Sequence, residues 1–313
     1  MVYTLTCSPA LDYTLTLPAP LAPGGLNRAA QFGFEAGGKG INVSRVLKNL
    51  GAESRALGFV SGFTGREIKR RLGEAGIGTD FIDLDGPDTR VNVKILDGDG
   101  RETEVNGPGA LVTQRALAAL TKTLRRTVAP GDYLVLSGMP PENAAEDFYA
   151  GLIALANGAG ALAALDFAGT AAAYRAALKE RPYLIKPNLA ELERAVCRRL
   201  DGEKAAAAAA RELSDAGAGR VFVTLGGAGA LFIGADRTAY RYVPPAGKPI
   251  NAVGAGDSAV AGFIAARLEG LSEPEAFYYG CAAGTATAYG MGLAQREAVD
   301  RIFSGLPEMT RIQ

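Results

Sequence analysis

The chain has 313 residues, enough for one large α/β domain or two smaller ones. Apolar residues make up 48% and charged residues 21% of the composition, and 33 Lys and Arg balance 33 Asp and Glu. This neutral balance gives no reason to expect a nucleic-acid or membrane-surface partner, since both attract basic proteins. The sequence contains no histidine. Ser–His hydrolases and His-ligated metal enzymes are therefore excluded, and any general base must be a carboxylate, lysine, tyrosine or cysteine.

The cysteines and the first residues indicate the compartment. Cys7, Cys197 and Cys281 are widely spaced and odd in number, which argues against a disulfide framework or a thiolate zinc site and favours a reducing, cytoplasmic environment. The start, MVYTLTCSPALDYTLTLP, lacks a basic head followed by a long apolar run, so we expect no signal peptide. No stretch approaches the ~20 apolar residues of a membrane span.

Short β-rich runs alternate with amphipathic segments along most of the chain. Buried strands are predicted at VYTLTC (2–7), DYLVLSG (132–138), ALAALDF (161–167) and RVFVTLGG (220–227), and helices over 39–50, 113–126, 143–157 and 203–216. This alternation predicts an α/β fold whose mainly parallel sheet is covered on both faces, with ligands at the carboxyl ends of the strands.

Two segments, 11–35 and 87–106, interrupt this alternation with strands that have one polar face. The DGDG between VNVKIL and RETEV predicts a β-hairpin. We expect these segments to form a small β-sheet lid over the ligand site, a simple edge hairpin being the alternative. The main domain would then comprise 1–10, 36–86 and 107–313. An open small sheet gains by pairing with a second copy, so a homodimer through the lid is predicted.

The stretch GFEAGGKG (33–40) matches a phosphate-binding P-loop except at its last position. There Gly40 replaces the Ser or Thr whose hydroxyl normally holds magnesium. Lys39 and the flanking glycine amides nevertheless stand at the start of a predicted helix, an arrangement typical of an anion site.

A second candidate anion site lies near the C-terminus, in NAVGAGDSAVAGF. Gly254, Ala255 and Gly256 precede a predicted helix, so their backbone N–H groups can converge on an anion. Asp257 lies in the same turn, where it could deprotonate a hydroxyl that attacks a bound phosphoryl group. The alternative is that Asp257 only caps the helix. Two anion sites, one near each end of the chain, suit an enzyme that binds two phosphorylated molecules.

Two further motifs are weaker. In VTLGGAGALF, Gly227 and Gly229 are followed by a strand, which favours a tight hairpin over a dinucleotide site and leaves open a nucleotide against the turn. In KPNLAELE, Asn188 and Glu191 fit a capping box. The functional alternative is that they organise hydrated Mg²⁺ around phosphates, with Lys186 nearby.

Together these motifs resemble the phosphofructokinase B (ribokinase-like) family of sugar kinases. GGKGINVSRVLKNLG is similar to its N-terminal motif, VGAGDSAVAGF to its C-terminal motif, KPNLAELE to its N-x-x-E element, and LSGMPP (136–141) to its sugar-site loop. The collinear resemblance runs from Thr4 to about Gly284 and implies a ribokinase-like three-layer α/β/α sandwich with a small β-sheet lid. SPALD, GGKGIN and TRVNVK most resemble the branch that phosphorylates ketohexose phosphates, chiefly the 1-phosphofructokinases. Tagatose-6-phosphate kinases and 6-phosphofructokinases are alternatives.

The resemblance also implies roles for individual residues. Asp257 would be the general base, and the backbone of Gly254, Ala255 and Gly256 the anion hole. Mg–ATP would be bound by Lys186, Asn188, Thr224, Gly226 and Gly229 together with Gly254 and Gly256, with Glu191 acting on the metal through water. Lys39 and Arg90 would hold the phosphate already on the sugar. The full predicted set for the sugar phosphate is Asp12, Gly37, Gly38, Lys39, Asn42, Arg90, Asn92 and Ser137.

The sequence departs from the family pattern at Cys7, Ser8 and Ala252. The family commonly has Thr at the last of these positions, so a contact to the nucleotide or to a monovalent cation is left open. A non-catalytic sugar-phosphate sensor is the alternative from another functional class. Such a sensor could dispense with Asp257 and Glu191, yet both are present. A dinucleotide-dependent oxidoreductase is disfavoured by the strand after Gly229.

Overall fold

The computed structural model describes residues 1–312, which form fifteen strands and ten α-helices. The strands are β1 (Val2–Thr6), β2 (Ala10–Thr16), β3 (Gln31–Gly37), β4 (Ser54–Val60), β5 (Gly78–Thr79), β6 (Ile82–Asp83), β7 (Val91–Leu96), β8 (Glu102–Asn106), β9 (Tyr133–Ser137), β10 (Leu162–Asp166), β11 (Leu184–Ile185), β12 (Val221–Thr224), β13 (Ala230–Ile233), β14 (Ala239–Tyr242) and β15 (Thr310–Ile312). The helices are α1 (Lys39–Asn49), α2 (Gly62–Glu74), α3 (Gln114–Thr127), α4 (Phe148–Gly158), α5 (Ala171–Lys179), α6 (Leu189–Ala195), α7 (Gly202–Asp215), α8 (Ala255–Leu268), α9 (Glu273–Tyr289) and α10 (Arg296–Ser304).

Eleven strands form the central sheet, in the order β15-β14-β13-β12-β11-β10-β9-β1-β4-β5, with β6 beside β4. The strands from β12 to β5 run parallel, whereas β13, β14 and β15 are added antiparallel at one edge. The carboxyl ends of β1, β9 and β10 therefore lie side by side. They bring Thr6, Ser137 and Asp166 to one edge of the sheet.

Helices cover both faces of this sheet, which gives the three predicted layers. Successive strand residues point to opposite faces, so Leu134 enters the hydrophobic core under α3–α7 and Val135 enters the core under α1, α8, α9 and α10. The α/β fold with a mainly parallel central sheet is as predicted. No helix within residues 1–312 combines the length and the apolar character needed to cross a bilayer.

A second sheet of four strands, in the order β3-β2-β7-β8, stands beside the first. Helix α2 packs against one face of this sheet through Ile68 and Leu72, which share a small core with Leu11. The opposite face carries Asp12, which is paired in register with Asn92. The predicted hairpin at DGDG is confirmed, because β7 and β8 pair antiparallel from Leu96 and Glu102.

One predicted helix is too long. The helix expected over 143–157 begins only at Phe148, because the side-chain amide of Asn143 donates to the carbonyl of Val112, 2.6 Å away. That tertiary hydrogen bond ties residues before the helix to a distant loop. The other predicted helices and strands agree with the structure to within one to three residues at each end.

Helices α8 and α9 approach each other closely because glycines face each other between them. A Cβ on Gly262 would lie 2.8 Å from the Cβ of Ala283, and a Cβ on Gly280 would lie 2.6 Å from the carbonyl oxygen of Ala259. Close packing of this kind fixes α8, and with it the first turn that carries Asp257.

Candidate active site

A cavity of about 900 Å³ lies where the carboxyl ends of the central strands meet the second sheet. Among the residues predicted for the site, all line this cavity except Gly37 and Glu191. The motifs from the two ends of the chain therefore meet in one place.

At the centre of the cavity is Asp166, a residue that the sequence analysis missed. Its carboxylate is buried, and its Oδ1 lies 3.1 Å from the ammonium nitrogen of Lys186 and 3.5 Å from that of Lys39. Burial opposes ionisation, but the two ammonium groups outweigh it and lower the pKa of Asp166. Its position at the carboxyl end of the predicted strand 161–167 was the only signal in the sequence.

Asp257 lies in the first turn of α8 and is only 5% exposed. Burial and the nearby negative charge of Asp166 raise its pKa to about 6, from an ordinary value of 3.8. Asn42 opposes this shift by donating from Nδ2 to Oδ2 of Asp257, at 2.8 Å, and the charges of Lys39 and Lys186 oppose it as well. A carboxyl group with such a pKa is suited to accept a proton near neutral pH.

The start of α8 presents backbone donors beside Asp257. Gly254 has the left-handed conformation (φ 80°) and turns the chain into the helix. The N–H of Ala255 already donates to the carbonyl of Ala252, whereas within residues 1–312 the N–H groups of Gly256 and Asp257 have no acceptor. An anion can therefore bind to two backbone N–H groups and the helix dipole at this point.

The start of α1 explains the missing P-loop hydroxyl. A Cβ on Gly40 would lie 2.7 Å from both the carbonyl oxygen of Leu5 and Oγ1 of Thr6, so a serine or threonine does not fit. Gly38 has φ 127°, and the N–H of Ile41 donates to Oγ1 of Thr6. These contacts pack the start of α1 closely against β1 and place the ammonium group of Lys39 next to Asp166.

At the end formed by the second sheet, Asp12 is held by two partners. Oδ1 of Asp12 accepts from Nδ2 of Asn92 at 3.0 Å, and Oδ2 lies 3.3 Å from the ammonium nitrogen of Lys94. Gly37 makes room for this carboxylate, because a Cβ there would lie 2.5 Å from it. Lys94 was not predicted as a site residue, because nothing in the sequence distinguishes it from any other polar residue of an alternating strand.

Arg90 supplies positive charge at the same end. One terminal nitrogen of its guanidinium donates to the carbonyl of Ser8 at 3.0 Å, but its buried Nε has no acceptor among the described residues. The buried Oγ of Ser137 and Oδ1 of Asn92 are likewise unpaired there. Arg90, Asn92 and Ser137 all line the cavity, so this end of it is polar and its polar side chains are not fully paired within the protein.

The opposite end of the cavity is built on the turn between β12 and β13. Gly226–Ala228 form a single 3₁₀ turn, and Gly229 has φ 101°, a conformation that favours glycine. Arg241 holds this turn by donating to the carbonyl of Ala228. The predicted tight hairpin is confirmed, because β12 and β13 pair antiparallel.

Asn188 and Glu191 form the predicted capping box at the start of α6. The side chain of Asn188 accepts from the N–H of Glu191 at 2.9 Å, and Oε2 of Glu191 accepts from the N–H of Asn188 at 2.8 Å. Only Asn188 reaches the cavity wall. Glu191 itself does not line the cavity, so its predicted action on a metal ion has to be indirect.

The site thus places a carboxylate with a raised pKa, two lysines and free helix amides between a polar end and a glycine turn. This arrangement suits phosphoryl transfer, which depends mainly on positioning and charge stabilisation. A model for pfkB family carbohydrate kinases matches residues 7–297. The chain belongs to that family, and it is a phosphotransferase that acts on a sugar hydroxyl.

Known relatives agree with this assignment. The chain is 38% identical over 302 residues to a 1-phosphofructokinase from Borreliella burgdorferi, covering 96% of both chains. It is 34% identical over 305 residues to a D-tagatose-1-phosphate kinase from Bacillus licheniformis, covering 97% of this chain and 98% of that one. Phosphofructokinase-2 from Escherichia coli, solved with substrates and products, superposes with a TM-score of 0.88 at 30% identity, covering 97% and 98% of the two chains. A further structure captures a tetrameric inhibited form of that protein.

The raised pKa of Asp257 predicts a stability cost above pH 6. A carboxyl whose pKa is about 6 when folded and 3.8 when unfolded lowers the stability of the fold as the pH rises between these two values, and the full cost is present above pH 6. Asp257→Asn should therefore raise the free energy of unfolding at pH 8 by roughly 1–3 kcal/mol. The gain should shrink as the pH falls from 6 towards 4, because the carboxyl of the unfolded wild-type chain then becomes protonated as well and the two states no longer differ in charge. Denaturant unfolding at pH 8 and pH 5 measures this, and an equal gain at both values would contradict it.

Proposed function

We propose that the protein is a 1-phosphofructokinase, which transfers the γ-phosphoryl group of ATP to fructose 1-phosphate and releases fructose 1,6-bisphosphate and ADP. The observation that carries the proposal is Asp257, a buried carboxylate of raised pKa beside free helix amides and two lysines, between the two ends of one cavity. The names of the relatives support the choice of a sugar phosphate as acceptor. A cytoplasmic location, expected from the unpaired cysteines, belongs to the same proposal.

In this mechanism Asp257 is the general base. Its carboxylate accepts the proton as the O–H bond of the sugar hydroxyl breaks and the oxygen forms a bond to the γ-phosphorus. The bond from that phosphorus to its bridging oxygen breaks, and ADP leaves. Asn42 fixes the orientation of Asp257 through its 2.8 Å hydrogen bond and favours the ionised form. We therefore propose that Asn42 acts on the base, in addition to the contact with sugar expected from the sequence.

Hydrogen-bond donors at fixed positions can stabilise the negative charge on the transferred phosphoryl group. The N–H groups of Gly256 and Asp257 and the ammonium groups of Lys39 and Lys186 surround the position next to the base. Such donors stabilise a transition state because they need no reorganisation. Lys39 lies beside Asp166 and Asp257, so we propose that it serves mainly the reacting phosphoryl group, and that the sugar's own phosphate, for which the sequence predicted both cations, is held mainly by Arg90.

The donor set suits Mg²⁺ carried with ATP. Oδ1 of Asp166 is paired with the ammonium groups of Lys186 and Lys39, whereas its Oδ2 lacks a donor among residues 1–312, and no cluster of three or more acidic or cysteine ligands exists there. Mg²⁺ is commonly held by one or two carboxylates together with substrate phosphates. We propose Asp166, with Glu191 through water, as its protein partners. When bound, the ion neutralises charge on the phosphates. A monovalent cation remains an open part of the proposal.

The sugar phosphate would occupy the end formed by the second sheet. Asp12 and Asn92 offer hydrogen bonds to hydroxyls, and Ser137 has an unpaired Oγ. The free Nε of Arg90 offers a charge-assisted hydrogen bond to the sugar's phosphate. An unphosphorylated sugar would leave this guanidinium unpaired, which disfavours it as acceptor. Isomers such as tagatose phosphates and fructose 6-phosphate offer the same groups and are the alternatives within the family.

The second sheet is proposed to be the lid of the site and the surface of a homodimer. One face carries Asp12 and Asn92 into the cavity. On the other face, α2 covers the part around Leu11 and Phe34, and Tyr13 stacks on Phe34 with ring centroids 4.4 Å apart, whereas Phe32 and Val105 remain 68% and 60% exposed. An exposed apolar sheet face of this kind is suited to packing against a second copy.

The function is tested by ADP release with Mg–ATP and six acceptors, namely fructose 1-phosphate, tagatose 1-phosphate, fructose 6-phosphate, tagatose 6-phosphate, fructose and ribose. We expect the highest kcat/KM with fructose 1-phosphate. Preference for another sugar phosphate would keep the mechanism and reject the proposed substrate. Tight binding of a sugar phosphate without turnover would reject the kinase mechanism in favour of a sensor.

Arg90→Gln should weaken the preference for phosphorylated acceptors. Loss of one charge-assisted hydrogen bond should lower the ratio of kcat/KM for fructose 1-phosphate over fructose by about 10- to 100-fold. Lys39→Met is the matched control, because Lys39 lies at the reacting centre. It should lower kcat with both acceptors and largely preserve the ratio. If Lys39→Met lowered the ratio as much as Arg90→Gln, the proposed division between the two cations would be wrong.

Val105→Asp should dissociate the proposed dimer, because it places a charge on the apolar face of the second sheet. Val243→Asp is the control, since Val243 is 63% exposed and lies outside that sheet. Light scattering after size-exclusion chromatography should give a dimer for the wild type and the control, and a monomer for Val105→Asp. A monomeric wild-type protein at micromolar concentration would rule the dimer out.

A further inference from the structure

Lys94 lies beside the end of the cavity formed by the second sheet and has no role in the mechanism proposed for Asp257. It is on β7, two residues after Asn92, so the two side chains point to the same face of the sheet. Asp12 on β2 is the register partner of Asn92 and shares that face. Asp12 and Asn92 line the cavity, whereas Lys94 does not. An effect of Lys94 on a bound sugar would therefore act through one of these neighbours.

The neighbour that Lys94 contacts is the carboxylate of Asp12. The ammonium nitrogen lies 3.3 Å from Oδ2 of Asp12, and both side chains are half-buried, 22% and 18% exposed. An ion pair shielded in this way interacts more strongly than one that is fully exposed. Asn92 donates to the other oxygen, Oδ1, at 3.0 Å. The backbone of Gly37 closes a third side, where a Cβ would lie 2.5 Å from Oδ2. Three neighbours thus fix the orientation of this carboxylate.

A carboxylate held in this way is prepared to bind the hydroxyl groups of a sugar. Each of its oxygens has two lone pairs, so one partner on each oxygen leaves an acceptor position free on both. An acceptor that is already oriented binds a hydroxyl without first losing rotational freedom. The phosphate of the sugar would approach the same end of the cavity, and the positive charge of Lys94 offsets the repulsion between that phosphate and Asp12.

We propose that Lys94 is a positioning residue for the acceptor, which holds Asp12 in place and balances its charge without touching the sugar phosphate itself. This inference rests on the proposed function. Loss of Lys94 should raise the KM for the sugar phosphate and leave kcat and the KM for ATP nearly unchanged. The reason is that Asp257 and the two lysines near it are held by other elements of the fold.

The alternative is that Lys94 only joins the two strands of its hairpin. Lys94 and Glu104 are register partners on β7 and β8, and their charged groups lie 4.0 Å apart. The side chain of Glu104 is 41% exposed, so this longer ion pair should contribute little. Glu104→Gln removes the cross-strand pair and leaves the contact between Lys94 and Asp12 intact. It is therefore the matched control.

The test is a double-mutant cycle with Lys94→Met, Asp12→Asn and the two substitutions together. It measures kcat/KM and KM for fructose 1-phosphate, the KM for ATP, and the Kd of fructose 1-phosphate by calorimetry. Lys94→Met should raise the KM and Kd of the sugar phosphate about tenfold in the wild type, but less than about twofold when Asp12 is already Asn. Asp12→Asn alone should lower kcat/KM by about 10- to 100-fold. Glu104→Gln should change each value by less than about twofold.

An effect of Lys94→Met that is equally large in the Asp12→Asn background would mean that Lys94 binds the ligand directly, and would overturn the inference. An effect below about twofold in the wild type, or an equal effect of Glu104→Gln, would overturn it as well. Each of these results leaves the kinase function intact. Binding without turnover would reject the kinase function, and the cycle would then be decided on Kd alone. Neither binding nor turnover would overturn both.

Thermal unfolding followed by circular dichroism establishes that each variant is folded. Lys94→Gln repeats the cycle with a polar side chain if Lys94→Met does not fold. The expected result is the same, because both substitutions remove the positive charge that holds Asp12.

Discussion

The active site depends on one buried negative charge, that of Asp166. Lys39 from α1 and Lys186 from the turn after β11 both come to the same carboxylate oxygen. A buried ammonium without a counter-charge is costly, so Lys186, which is only 4% exposed, depends on this carboxylate for its position, whereas the partly exposed Lys39 is held to it by attraction. Burial, together with the same charge, raises the pKa of Asp257 to about 6 and so turns an ordinary carboxyl into a base that titrates near neutral pH.

The charged residues around Asp166 lie between two ends of the cavity, and different parts of the fold build these two ends. The second sheet supplies Asp12, Asn92 and Arg90, whereas the hairpin after β12 and the start of α8 supply the opposite wall. A sugar phosphate and a nucleotide can therefore approach Asp257 from opposite sides. Transfer between them needs little movement of protein charge, because the donors are fixed by helix starts and by close packing at Gly40 and Gly280.

Much of this could be predicted from the sequence, where local pattern decides structure. The alternation of strands and helices predicted the layered fold, and the small residues before two of the helices identified both candidate anion sites. Asp166 was missed because it ends an apolar strand, and only the register between β9 and β10 shows that it faces the cavity. The late start of α4 and the need for glycine at position 40 depend on tertiary contacts, with Val112 and with β1, that no local pattern encodes.

The most direct test of the account is the pH dependence of kcat/KM for the sugar phosphate, in the wild type and in Asn42→Ala. The value of kcat/KM should fall about tenfold per pH unit below about pH 6, as Asp257 becomes protonated. Without the hydrogen bond from Asn42, which favours the ionised carboxylate, this limb should move to higher pH. A profile that is flat from pH 5 to pH 8, or a limb that Asn42→Ala leaves in place, would contradict the central role of Asp257.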